Sequence, residues 1–319
     1  MRTRVRDVTV RGAAPSAALR TRPAPTGHEP GPGRSATIAL AVPELGSAYF
    51  AELADHVVHA ASDRGWTVLV DSTGGDTDRE RAALTGSGRR PVDGLVLSPL
   101  ALTTSDLAGR PPAVPLVLLG ERIGGDDGPV PADHVVVDNT AAARLATAHL
   151  AGQGRRRIAA LGAQRGAVGI SARQRLDGYR QALAEAGLPL EPSLVQPVRH
   201  WHRVDGARAV RRLLDGPRPP DALFCCNDLL ALGALAALRR DGVRVPDDVM
   251  VVGVDDIEES RFSCPSLTSI APDKAAIGAA VIDLLARRLA GHADLPPQRI
   301  EVGYSLQVRE STGGQAPRL

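Results

Sequence analysis

The chain has 319 residues, 43% of them hydrophobic and 23% charged, with a formal net charge of +2. That length supports two lobes with sizeable cores, and the composition is that of a globular protein rather than a disordered or membrane-bound one. No apolar run approaches the roughly 20 residues that span a bilayer, and arginine and proline interrupt the N-terminal segment before a secretion leader can form, so a cytoplasmic protein without membrane contact is expected.

The charge is uneven. Residues 1–36 carry seven arginines against Asp7 and Glu29, a local balance of +5, which leaves −3 for the remainder. By charge, only this arm suits nucleic acid. Its second half, PAPTGHEPGPGRSA (23–36), is a Pro/Gly-rich linker. From residue 37 onward, short runs of Val, Ile and Leu alternate with helical patterns, which predicts buried parallel strands and crossover helices. The first series of strands is TIALAVP (37–43), WTVLVDS (66–72), GLVLSP (94–99), PLVLLGE (115–121) and HVVVDN (134–139). Between the first two, Phe50, Leu53, Val57 and Ala60 share one helical face.

The second series is RRIAALG (156–162), a helix over 171–187, SLVQPVR, a helix over 203–215, ALFCCN (222–227), a helix over 228–241 and VMVVGVDD (249–256). LTSIAP, a helix over 274–290 and a terminal strand QRIEVGYSLQVRE complete the chain. The pattern predicts an α/β fold of two doubly wound parallel-sheet lobes in tandem. The three cysteines, Cys225, Cys226 and Cys264, form no C-x-x-C pair and read as buried free thiols.

In open α/β sheets, ligands sit beyond the carboxyl ends of the strands. Asp71–Ser72, Asp138–Asn139, Asn227–Asp228 and Asp255–Asp256 all fall there. As a catalytic dyad, Asp255 and Asp256 are poorly placed, because neighbours on an extended segment point to opposite sides. A metal site lacks further ligands at tight spacing. Two readings stay open: a capping acid beside a solvated one, or a carboxylate accepting ligand hydroxyls in a dry cleft.

His200 and His202 in RHWHR are too few for a metal site, whereas Trp201 offers either a stacking platform or a core ring. Arg173 and Arg175 oppose the dipole near a helix start, so Arg175 needs an anionic or ligand partner unless water solvates it. Walker A, G-x-G-x-x-G, G-x-S-x-G and H-E-x-x-H motifs are absent from the sequence, so no cofactor and no catalytic residue is expected.

The stretch FCCNDLLALGALAALRRDGVRVPDDVMVVGVDDIEESRFSCPSLTSI closely resembles the sensor region of LacI/GalR-family transcriptional regulators, which share a fold with periplasmic sugar-binding proteins. RSATIALAVPELGSAYFAEL, VDGLVLSP, VVVDNTAAARLATAHL, SARQRLDGYRQALAEAGLPL and LQVREST extend the likeness over about residues 34–312.

The resemblance implies two lobes joined by three crossovers, a homodimer, and a small effector, often a sugar, nucleoside or purine, held in the cleft. It implies that Asp255 holds effector hydroxyls while Asp256 is structural. It also carries over Asn227 and Arg175 as polar contacts, Trp201 as a stacking ring, Tyr49 and Phe50 as the first-lobe aromatic pair, and Asp138 as a group near the cleft. Two positions depart from the family pattern: Ser47-Ala48 stands in place of Asn-Pro, and Val254 in place of an aromatic residue.

The resemblance further implies boundaries. Residues 37–156 with 269–293 are expected to form the first lobe, carrying a dimer face near 48–64. Residues 157–268 with 294–312 form the second lobe, and 313–319 a tail. The family begins with a helix-turn-helix head and a minor-groove hinge helix, which need roughly 45–60 residues. Residues 1–36 are therefore expected to be an Arg/Pro/Gly-rich remnant of that head. The function implied is a cytoplasmic regulator transmitting effector binding to operator DNA. The alternative is a stand-alone sugar-binding sensor without DNA contact, which the short arm favours.

Overall fold

A computed structural model describes residues 35–86, 91–108, 114–120, 131–164, 169–292 and 295–316. The arm expected at 1–36 lies outside these residues apart from Ser35 and Ala36, as does the end of the tail, 317–319.

The elements run β1 (Thr37–Val42), α1 (Ala48–Ser62), β2 (Thr67–Ser72), α2 (Thr77–Thr85), β3 (Gly94–Leu97), α3 (Thr104–Ala108), β4 (Leu116–Leu119) and β5 (Asp133–Val136). There follow α4 (Asn139–Gly152), β6 (Ile158–Ala163), α5 (Ile170–Glu185), β7 (Val195–Pro197), α6 (Arg203–Leu214), β8 (Ala222–Cys225), α7 (Asp228–Arg240) and β9 (Met250–Val254). The last are α8 (Glu258–Phe262), β10 (Thr268–Pro272), α9 (Lys274–Leu289), β11 (Arg299–Glu301) and β12 (Tyr304–Gln307).

Among the described residues these strands form two six-stranded sheets. Their orders are β11-β5-β4-β3-β1-β2 and β12-β10-β9-β8-β6-β7. Every pair is parallel except β10 with β12. The central strands are buried on both faces, which is why they read as continuous apolar runs. Asx side chains cap several strand-to-helix junctions: Asp138, Asn227 and Asp273 each accept the N–H three residues on, so the helices start where the strands end.

Lobe membership differs from the sequence expectation in three places. Ala142, Ala143, Ala146 and Leu150 of α4 pack into the second core, so the second lobe begins at about residue 139 rather than 157. β10 pairs with β9 and so belongs to the second sheet, not the first. The expected terminal strand is two: β11 joins β5 in the first sheet and β12 joins β10 in the second. α9 packs on the first core through Ile277, Val281 and Leu285. The chain therefore crosses between lobes three times, at β5–α4, β10–α9 and β11–β12. Cys264 is exposed in the turn after α8, contrary to the expectation of burial, while Cys225 and Cys226 are buried.

Candidate binding site between the lobes

The carboxyl ends of both sheets open onto one cavity of about 530 Å³. Its wall includes Tyr49 and Phe50 from α1 and Arg175, Trp201, Asn227 and Asp255 from the second lobe. Six of the seven residues predicted from sequence thus share one cavity. Asp138 is not part of its lining; its Oδ1 accepts from Ala141 N–H at 2.9 Å and caps α4. The adjoining Asn139 lines the cavity instead.

Asp255 follows β9 with φ of 117°, and Asp256 has φ of 45°. Two successive non-glycine residues in left-handed regions are strained, and such strain persists only where the surroundings over-determine it. Here they do. Asp255 N–H donates to Ile270 carbonyl at 2.8 Å, Asp256 N–H to Ser269 Oγ at 3.1 Å, and Ile257 N–H to Asp228 Oδ2 at 3.1 Å. The turn sends the two carboxylates apart. Asp256 pairs with Arg309 at 2.6 Å, beneath the site.

Asp255 faces the cavity and is 6% exposed; its ion pair, with Arg175 Nη1, spans 3.8 Å. Burial raises its carboxyl to about 6, while Arg175 and then Lys274 oppose the rise and Glu52 adds to it. Burial also raises the Tyr49 phenol, and Asp255 adds to that rise.

Arg175 has the partner that its position on α5 demands. Nε donates to Asn139 Oδ1 at 2.8 Å, Nη1 donates to the Cys226 carbonyl, and the guanidinium lies 5.2 Å from the Trp201 ring centroid. Trp201 is both core and lining: Nε1–H donates to Gly162 carbonyl at 2.9 Å. Asn227 caps α7 through Oδ1 and donates Nδ2–H to Trp201 carbonyl at 3.2 Å. Tyr49 and Phe50 meet edge to face at 5.2 Å.

Further groups line the cavity, among them Glu44, which the sequence does not point to, His200 and His202, which it offers only as an insufficient metal pair, and Asn139. Glu44 and His202 meet at 2.9 Å from opposite lobes at the cavity wall. His200 stacks on His202 at 5.4 Å. Among the described residues no group of three His, Cys, Asp or Glu is placed to hold a metal ion. Asn139 could have been found from its place beside Asp138 at a strand end; Glu44 carries no such signal.

Comparison with known proteins agrees with this architecture. The family model for a periplasmic binding protein-like domain matches residues 147–312. The chain is 32% identical over 279 residues to the HTH-type transcriptional repressor PurR of Mannheimia succiniciproducens, covering 86% of this chain and 80% of that one. A structure from Sanguibacter keddieii, assigned to the LacI family of transcriptional regulators, is 44% identical with a TM-score of 0.80, covering 88% of this chain and all of that one. The transcriptional regulator CelR in complex with cellobiose is 33% identical with a TM-score of 0.74, covering 87% and 85%. These relatives are regulators, not enzymes. With its two parallel sheets, three crossovers and interlobe cavity, the chain belongs to the LacI family of transcriptional regulators and carries that family's periplasmic-binding-protein-like sensor region.

Proposed function

We propose that this chain is a cytoplasmic regulator whose two lobes close on a hydroxylated effector of the sugar class, and that closure is passed to operator DNA by a homodimer. The observation that carries the reading is Asp255. A carboxylate 6% exposed, on a strained backbone, faces a cavity of about 530 Å³ across 3.8 Å from its ion-pair partner. Sugar hydroxyls would give it charge-assisted hydrogen bonds, which the Arg175 pair at 3.8 Å is too long to make.

Asn227 and Arg175 stand beside it as polar contacts, and Trp201, Tyr49 and Phe50 supply aromatic walls. The neighbour CelR is recorded with cellobiose, which supports this class. Val58 of α1 and Val70 of β2 are exposed on the first lobe, where a second copy would pack. DNA contact is assigned to the arginine-rich arm, outside the described residues.

The test is calorimetry of the full chain against cellobiose, glucose, xylose and ribose, beside Asp255→Asn, followed by fluorescence anisotropy on upstream DNA with and without the sugar that binds. At least one sugar should bind, with an affinity about 100-fold weaker in Asp255→Asn. That sugar should change the DNA affinity. Binding unaffected by Asp255→Asn would overturn the site, and an unchanged DNA affinity would leave a sensor without DNA contact.

A further inference from the structure

The chain contains one lysine among 37 arginines, and it is Lys274, the first residue of α9 after the second crossover. Its ammonium is buried. Nζ donates to Glu52 Oε2 on α1 at 2.7 Å and to the Asp256 carbonyl at 2.9 Å. The other Glu52 oxygen, Oε1, accepts Glu258 N–H at 2.8 Å. Glu52 and Lys274 belong to the first lobe, whereas residues 256 and 258 belong to the second.

The strained turn is therefore gripped from both sides. Ile270, Ser269 and Asp228 hold residues 255–257 from within their own lobe, and Glu52 and Lys274 hold residues 256 and 258 from the other. A compact ammonium with three donors can sit between a carboxylate and a carbonyl, where a planar guanidinium would need a wider gap.

We propose that Glu52 and Lys274 are positioning residues for the effector acid Asp255, forming a strut that ties the 255–258 turn to α1 of the first lobe. The proposal rests on the reading of Asp255 as the effector-holding acid. Through the strut, the conformation of that acid and the placement of α1 become one variable, so effector binding is felt at the outer face of the first lobe. Neither residue touches the effector in this scheme; both act through the backbone of the turn.

The electrostatics run the same way. Asp255 is faced by Arg175 from α5, Lys274 from α9, Glu52 and Tyr49 from α1, Asp228 from α7 and Cys226 after β8. Within that set Lys274 favours the carboxylate and Glu52 opposes it. These opposite signs follow from the two charges themselves; what the strut adds is that Glu52 and Lys274 act as one unit, so the effects of removing them do not add.

The test uses the full chain with 13C-carboxyl aspartate, comparing wild type with Lys274→Met and Glu52→Gln. Glu52→Gln is nearly isosteric and keeps an acceptor for Glu258 N–H, so folding is preserved in at least one arm. The Asp255 midpoint should rise in Lys274→Met and fall in Glu52→Gln. Affinity for cellobiose should drop about tenfold in each single variant, and little further in the double variant, because the two act as one unit. Single variants that leave cellobiose affinity unchanged, or losses that simply add in the double variant, overturn the strut even if the wild type binds sugar. Should the wild type bind no sugar, the effector reading fails, and the strut is read from hydrogen exchange of the Asp255 and Glu258 amides: exchange that quickens in each single variant and no further in the double one upholds it, and unchanged exchange overturns it.

Discussion

Asp228 shows how one residue can carry the local geometry without meeting solvent. It is fully buried at the start of α7, yet accepts from Ser269 Oγ at 2.6 Å, Ser260 Oγ at 2.7 Å and Ile257 N–H at 3.1 Å. Burial, and then the neighbouring Asp255, raise its carboxyl to about 8, against the pull of those three donors. Between about pH 4 and pH 8 the folded chain therefore keeps a proton that the unfolded chain has released. Stability contributed by this group is full below about pH 4, falls as pH rises through that window, and levels off above about pH 8. The slope is at most about 1.4 kcal/mol per pH unit. Asp228→Asn removes it. Chemical denaturation from pH 4 to 9 should show the wild type losing stability relative to Asp228→Asn across that window; parallel profiles would mean that Asp228 is ionised throughout.

At the scale of elements, α6 and α7 set the second-lobe wall by a close backbone approach. A Cβ at Gly233 would fall well inside contact with the Arg203 carbonyl oxygen, and one at Gly206 inside contact with that of Leu230. The approach brings the start of α6, with Trp201 and His202 just before it, against the Asn227 cap of α7. Alanine normally stabilises a helix over glycine by about 1 kcal/mol. Here overpacking should reverse the sign, and Gly233→Ala should cost about 1–3 kcal/mol. In a Trp66→Phe background, the fluorescence of Trp201 should also shift to the red as its segment is pushed outward. A stabilised Gly233→Ala would show that the helices can part freely.

Elements of this kind were partly legible in the sequence. Strand-end polar pairs such as Asn227–Asp228 and Asp255–Asp256 mark the cavity because every parallel strand delivers its carboxyl end to the same side. Lobe membership of α4, β10 and β11 was not legible. It is decided by pairing between strands far apart in the chain, and three short crossovers look like any other loop. Glu52 and Lys274 were invisible for the same reason, being 222 residues apart. Cys264 read as a buried thiol because its residue type usually is one, whereas a surface turn places it.

For the whole molecule, the question is which interlobe contacts set the closed arrangement. Glu44 and His202 meet at 2.9 Å, with side chains 49% and 42% exposed. Such an exposed pair is worth roughly 0–1 kcal/mol, because water and salt compete with it. Lys274 meets the turn deeper, at the Asp256 carbonyl one residue from the acid that an effector would hold, and Glu52 meets it at Glu258 N–H, three residues from that acid. An effector shifts a two-lobe equilibrium only by its differential affinity for the two arrangements, so its main contact, rather than the rim pair, should set the size of the closing motion. Solution scattering should show the radius of gyration contracting when the wild type is saturated with the sugar that binds. Glu44→Gln should contract to the same extent, with affinity lowered less than about fivefold. A Glu44→Gln chain that stays extended at saturation would place the closing force at the rim, and Asp255 would then be a lining group that closure does not depend on.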